Sequence, residues 1–377
     1  MICRYKFFYL FLLTVPFFNI LGLKFGNAIV QTFILSFFFS TLLLFRQQRI
    51  RSGWFAPFFF IFGLVICLLL SELHSVINLG RSNIDSIRFF GLFIPVLLFY
   101  ILSYNPRVFA EKYWNKLLRF YILVFSLSII IDYFILHSAL DISLQPMYRE
   151  EDWSYVTRPF GITGQPSVNS VLLVFFYALL LSRGSFDESK LFFLLMVIGV
   201  LLQGSGSGFI ALFILLNVMF VSFNWFIRVF CYFFSLLFMF QLVQQFKLFY
   251  KISFEYISRL IDVFSWQIDD WIILVKKSEP LISVLLGGVS SGIDFGPLYF
   301  MSNVGLIFSI FFLIFIVMSA AKAKERYEKS AILILLVGNL HYPVMFYAVM
   351  AFFLPLLLQK NFFPVKDETK FSGARIP

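Results

Sequence analysis

Charge is scarce in this chain of 377 residues: Asp, Glu, Lys and Arg together make up 13%, against 60% hydrophobic residues. A soluble domain carries roughly 25% charged residues. One aqueous core does not hide this much apolar surface, which excludes the water-soluble classes. Cysteine is scarce too. Cys67 and Cys231 lie inside apolar runs and Cys3 lies near the start, so no disulfide framework or metal spacing is available. The three histidines are far apart in sequence, so no metal site and no cofactor is expected. No internal repeat and no Gly/Ser-rich linker divides the chain, which reads as one integral membrane domain over 1–377.

What the chain has in abundance is phenylalanine, 56 residues of it, which reads as lipid-facing bulk. A membrane span needs about 20 predominantly apolar residues. Runs that meet or approach this lie near 7–23, 28–45, 54–74, 88–104, 117–137, 167–182, 191–203, 208–223, 225–243 and 299–320. The run 331–358 is too long for one simple span and contains Pro343 and Pro355. It is one kinked helix or two half-length ones. The fold expected is all-α, a polytopic transmembrane bundle of about 11–12 helices. The basic, apolar start resembles a signal peptide, but a second apolar run follows at once, so an uncleaved first span is expected.

Orientation follows from the basic loops. Segment 46–51 carries three positive residues, 105–119 carries four with one acid, and 322–329 carries four with two acids. Arg4 and Lys6 mark the start. Alternating spans from a cytoplasmic N-terminus puts all of these inside. Two large loops, 138–166 and 244–298, then fall outside, with two basic against four acidic residues and five against six. The net charge of +10 is therefore an inside-loop bias and not a nucleic-acid footprint. Within the second loop, apolar residues recur with helical period from 249 to 272, opposite Lys251, Glu255, Ser258, Arg259, Asp262 and Asp269. This predicts an amphipathic helix, with Trp266 and Trp271 at headgroup level, lying on the outer bilayer surface or packed on the bundle.

Three outward helix starts carry unusual residues. In TRPFGITGQPSVNS at 157–170, Pro166 suits the first position of a helix. Arg158 precedes it, held extended by Pro159, and its planar fork of donors suits phosphate. In QGSGSGFIALF at 203–213, Gly204, Gly206 and Gly208 permit close backbone approach to a ligand, or the stretch with Ser205 and Ser207 serves tight helix packing. The third is LLGGVSSGIDFGPLYF at 285–300. Helix starts favour anions. Of the outer arginines, Arg259 has Glu255 and Asp262 on its helix face, and Arg149 stands beside Glu150, Glu151 and Asp152. Arg158 has no acid within five residues. Asp294, among glycines and serines, is a turn-stabilising aspartate or a general base. Glu72, His74, Asp132 and His137 lie near outward span ends, and His341 lies in the last apolar run. Ionisable groups at membrane depth are functional candidates.

The order of these features over residues 120–345 resembles the O-antigen polymerase and O-antigen ligase family of bacterial envelope enzymes. RPFGITGQP resembles the family's arginine–x–x–glycine stretch before a proline-led span. QGSGSGFIALF resembles its serine-rich segment opening a later span. GIDFGPLYFMSNVGLIF resembles its closing motif, a His or Asp ahead of a Tyr-Leu and a Gly-Leu. Here Asn169 falls three residues after Pro166, Gly206 follows Ser205 where an arginine is frequent, and Asp294-Phe295 stands for His-Asn. These departures favour the polymerases. The resemblance implies a metal-independent glycosyltransferase of the bacterial inner membrane with a periplasmic active site. Its donor would be an oligosaccharide on a polyprenyl diphosphate and its acceptor a second lipid-linked repeat unit, with membrane lipid and a chain-length regulator protein as partners. Asp294 and Arg158 take the catalytic positions. Arg259, Arg149, Gly204, Ser205, Ser207, Asn169 and His341 are the candidates for binding diphosphate and sugar. A ligase transferring glycan to lipid A–core, a flippase or transporter, and an acyltransferase using His341 are the competing readings.

Overall fold

A computed structural model of the chain describes residues 9–10, 12–17, 55–80, 106–136, 159–182, 186–220, 229, 265–273, 275–276, 280–288 and 295–362. Among these residues every regular element is helical. In chain order the helices used below are α1 (Phe55–Leu79), α2 (Pro106–Leu136), α3 (Pro166–Leu181), α4 (Phe186–Gln203), α5 (Gly206–Met219), α6 (Pro280–Leu286), α7 (Gly296–Lys322), α8 (Arg326–His341) and α9 (Ala348–Phe362). Residues 265–273 form a further helical stretch.

Two helices, Tyr113–Ile135 within α2 and all of α7, are long and apolar enough to cross a membrane. At ~1.5 Å per residue, the span in α2 covers about 35 Å and α7 about 40 Å. The distribution of polar groups is inverted relative to a water-soluble bundle. Asp132, Asn169, Ser170, Gln203 and Ser205 are fully buried, while Phe134 is 67% exposed and Leu191 63% exposed. On α7 the outward face is Ile310, Phe311, Leu313, Ile314 and Val317. An apolar face of that kind is stable against hydrocarbon and costly against water.

The centre of the bundle is α3. All sixteen of its residues are buried, as expected for a helix that is apolar all round. It is enclosed by α2, α4, α5 and α8. Pairings fix directions. Tyr121 and Phe125 of α2 pack edge-on against Phe176, with centroids 5.1 and 5.6 Å apart, whereas Ile129 lies beside Gly161, just before α3. Helix α3 therefore runs antiparallel to α2. Likewise Tyr177 meets Ser189 and Ser170 meets Gln203, so α4 is antiparallel to α3. Helix α5 runs with α3, since Ser205 meets Ser167 and Gly208 meets Ser170. Phe353 of α9 joins the Tyr121–Phe176 cluster, worth about 0.5–1.5 kcal/mol per aromatic pair beyond area burial.

One end of the bundle thus collects the starts of α3, α5 and α7 and the finishes of α1, α2, α4 and α8. That alternation matches the one read from the apolar runs. The long run 331–358 resolves into two helices, α8 and α9, separated at Tyr342–Pro343 and a 3-10 turn at Val344–Phe346. Proline at 343 disfavours helical geometry at Tyr342, whose backbone is extended (φ −129°, ψ 148°).

Segment 280–288, within the stretch read as an outer loop, packs against both α1 and α7. Helix α7 is broken at Gly305 (φ 79°, ψ 165°). A Cβ there would sit 2.3 Å from the Leu285 carbonyl oxygen, and one at Gly287 would sit 2.3 Å from the Gly305 nitrogen. Backbone meets backbone, and only glycine fits. The break frees the Asn303 carbonyl, which accepts from Ser71 Oγ at 2.7 Å and from the Gly288 amide at 3.3 Å. His74 of α1 ties the segment further. Its Nδ1 is 2.7 Å from the Gly287 carbonyl, which makes Nδ1 the donor, and Nε2 then accepts from Ser283 Oγ at 3.3 Å.

Candidate functional site

The turn before α3 is built by glycine and held by side chains. Gly161 and Gly164 both have positive φ (62° and 76°), and the Gly164 amide donates to the Gly161 carbonyl at 3.3 Å. A Cβ on Gly161 would lie 2.7 Å from Asn169 Nδ2. The turn's polar backbone is buried, so each group needs a partner. Asp132 Oδ2 accepts from the Phe160 amide at 2.5 Å and from the Gly161 amide at 3.2 Å. Ser128 Oγ, one helical turn earlier on α2, accepts from the Ile162 amide at 3.2 Å. Asn169 closes the other side: its Oδ1 accepts from the Thr163 amide at 3.2 Å, and its Nδ2 donates to the Phe160 carbonyl. Gln203, the last residue of α4, donates from Nε2 to the Pro159 carbonyl at 3.4 Å, and its Oε1 accepts from Ser170 Oγ at 2.8 Å.

Beside this turn, α3 and α5 begin side by side. Pro166 opens α3 without losing a helical bond. Ser205 is the N-cap of α5 and accepts from the Gly208 amide. Ser205 Oγ donates to Ser167 Oγ at 3.1 Å and lies 3.0 Å from Ser207 Oγ. Proton counting gives an order to the three hydroxyls. Ser205 has one proton and spends it on Ser167, so Ser207 donates to Ser205. The Ser167 proton then has no acceptor among the described residues. Two helix dipoles and one spare O–H donor share this corner, an arrangement that favours an anion.

The far side of the same end is formed by α7 and α8. Gly338 packs on Val171 of α3, and Gly296 lies against the Asn339 carbonyl, where a Cβ would be 1.6 Å away. His341 ends α8 with its ring 4.8 Å from that of Tyr342. The Phe295 amide donates to Gln267 Oε1 at 3.0 Å. Gln267 is buried, whereas Trp266 is 59% exposed. The described part of the second loop's helix therefore docks on the bundle through a glutamine and turns a tryptophan outward.

Comparison with family models, with curated proteins and with solved structures finds no match to this chain. The site must be judged on its own residues. Among the described residues, no group of three or more His, Cys, Asp or Glu side chains has the arrangement of a metal site.

Arg149, Arg158, Arg259 and Asp294 lie outside the described residues. The residues next to two of them are described: Pro159 follows Arg158 and bonds Gln203, and Phe295 follows Asp294 and bonds Gln267. Of the remaining candidates, Asn169 has both ends of its amide engaged by the turn. Gly204 has a left-handed backbone (φ 55°), and its amide closes α4 on the Val200 and Leu201 carbonyls. Both shape the site from behind. Ser205 is buried as a cap, and Ser207 lies near it. The small residues also serve packing, since a Cβ at Gly208 would sit 2.3 Å from Ser170 Cβ. Gly206 has nothing within 4 Å of its Cβ position. The sequence reading does not assign Ser128, Ser167 or Gln203 to the site. Asp132 is named there only as an ionisable group near a span end. Ser128 and Asp132, four apart in an apolar helix and hence on one face, are the signal that was available.

Proposed function

We propose that this chain polymerises a surface polysaccharide by glycosyl transfer from a polyprenyl-diphosphate-linked donor to a lipid-linked acceptor, at the periplasmic face of a bacterial inner membrane. The observation that carries the reading is the shared end of the bundle. There the starts of α3 and α5 and the spare Ser167 donor lie beside Pro159, the neighbour of Arg158, in the turn before α3, while Phe295, the neighbour of Asp294, caps α7, which packs on α8 and through it on α3 and α5.

In this mechanism Asp294 takes the proton of the acceptor hydroxyl as its oxygen attacks the donor's anomeric carbon. The bond from that carbon to the diphosphate oxygen breaks, and the leaving diphosphate keeps the electron pair. Preorganised donors stabilise the charge it gains. Arg158 and Arg259 supply guanidinium groups, Ser167 an O–H, and α3 and α5 their N-terminal dipoles. Arg149 and His341 contact the sugars. The prenyl tail lies along exposed apolar helix faces such as that of α7.

The test is an envelope glycan ladder from cells carrying Arg158→Ala or Asp294→Ala. Both variants should insert normally and give only single-repeat glycolipid. Long wild-type ladders from both would remove the assigned roles. Deletion of the protein should leave single repeats exported to the surface; their absence from the surface would point to a flippase instead.

A further inference from the structure

We propose that the outward face of α2, at the end of the bundle opposite the candidate site, binds an anionic phospholipid of the surrounding bilayer. This is the end where α2, α4 and α8 begin. Lys116 is exposed there, and Arg119, one turn on, is half-buried. Steps of seven, four and seven residues from Lys116 through Leu123 and Leu127 to Phe134 keep to one side of the helix. The three apolar residues of that stripe are exposed, while Leu118, Tyr121 and Phe125 on the other side are fully buried. Arg119 marks the edge nearest α4. Its guanidinium carbon lies 5.7 Å from the Phe192 ring centroid, and Ser126 Oγ donates to the Leu195 carbonyl at 3.1 Å, so α2 and α4 run side by side in the same direction. Leu191, also exposed, carries the apolar surface across to α4. Tyr113, one turn before Lys116, stacks on Tyr9 with centroids 4.8 Å apart, and tyrosine is enriched at headgroup level.

Two cations at the head of an exposed apolar stripe select an amphiphile. A soluble anion would leave the stripe bare, and a neutral lipid would gain nothing from the cations. Lys116 and Leu127 are about 17 Å apart along the axis, at ~1.5 Å per residue, close to half of the ~30 Å hydrocarbon core. A headgroup phosphate held by Lys116 and Arg119 therefore lays its acyl chains over one leaflet's depth of this face. Arginine's fork suits the phosphate oxygens, and lysine reaches the interface on its apolar stem. The local charge has the right sign. Arg107, Lys112, Lys116 and Arg119 outnumber Glu111, the one acid in that stretch of α2. Asp187 and Glu188 fall in the first turn of α4, where acids complement the helix dipole. With the orientation read from the basic loops, this end meets the cytoplasmic leaflet, whose anionic lipids attract basic residues.

The test is a titration of the full-length protein in detergent with dioleoyl phosphatidylglycerol, read by native mass spectrometry. It should bind about 25-fold more tightly than dioleoyl phosphatidylcholine, at about fivefold per cation. Lys116→Gln should weaken the phosphatidylglycerol complex about fivefold, and Lys116→Gln with Arg119→Gln about 25-fold, with phosphatidylcholine binding unchanged. If the double variant does not accumulate, Lys116→Gln against wild type decides. As a control, Lys324→Gln with Lys329→Gln removes two exposed cations from the same end and should change binding by less than about twofold. Equal affinity for the two lipids would overturn the proposal. So would an equal loss in the control variant, which would mean diffuse attraction to the whole end. Glycerol 3-phosphate at about a hundredfold excess should not displace the lipid; if it does, the site takes a soluble anion and not a lipid.

Discussion

Two broken places among the described residues are satisfied by opposite means. Before α3, the irregular backbone of 159–164 is held by side chains from three helices: Asp132 and Ser128, Asn169, and Gln203. At Gly305, the irregular backbone of α7 is met by the backbone at the end of α6 and at Gly287–Gly288, and side chains contribute less, through Ser71 and His74 of α1 and through Ser309, whose Oγ donates to the Gly305 carbonyl at 2.7 Å. Irregular backbone at depth must satisfy every freed N–H and C=O internally. Side-chain satisfaction leaves a turn adjustable. Glycine-on-glycine contact leaves no room, so it suits a joint and not a binding surface. Under the proposed function, the contrast assigns ligand chemistry to the first break and mechanical support to the second.

The largest effect should come from filling the glycine joint. Gly305→Val adds branched bulk at a left-handed residue, with its Cβ 2.3 Å from a backbone oxygen that cannot move aside cheaply. Left-handed strain and overpacking together predict a loss of about 3 kcal/mol or more. Detergent-solubilised protein should melt far lower or fail to elute as a single species.

Asn169→Ala should rank next. It strands the Thr163 amide and the Phe160 carbonyl in a buried turn. About 2 kcal/mol of stability should go, at ~1 kcal/mol or more per stranded group, with glycan transfer lost more completely than folding. A melt shift with full transfer would mean that the turn is not part of the site. His74→Ala removes one donor and one acceptor at the joint and should cost about 1–2 kcal/mol. Since that joint is mechanical, transfer per folded molecule should stay near wild type. Selective loss of kcat in a stable His74→Ala protein would erase the division between the two regions.

Gly206→Ala should change stability least, within about 0.5 kcal/mol, because its Cβ position is open and alanine is the better helix former. It sharpens the comparison: a drop in transfer at unchanged melting temperature would mark the α5 start as a surface that a ligand approaches closely.

The run read as a span at 167–182 became α3 at Pro166–Leu181, and 299–320 became α7 at Gly296–Lys322. The helix start at Pro166 was visible because proline suits the first helical turn. The break in α7 was not. Gly305 sits in an apolar run where an isolated glycine reads as tolerated, and only its partner at Gly287 explains it. At the candidate site, the small residues of GSGSG and the brace residue Asn169 were visible, but their engagement within the fold was not.

Among the described residues, local pattern decided where the apolar helices lie and that polar, glycine-rich segments start them, because apolar run length and proline geometry act over neighbouring residues; the spans read at 28–45, 88–104 and 225–243 lie outside the described residues but for Val229. Tertiary structure alone decided that Asp132 holds the turn before α3, 28 residues away, and that His74 bonds Gly287 across 213 residues. Such pairings answer the need of a buried backbone group for whichever partner the packing brings within reach, and no short-range periodicity records that choice.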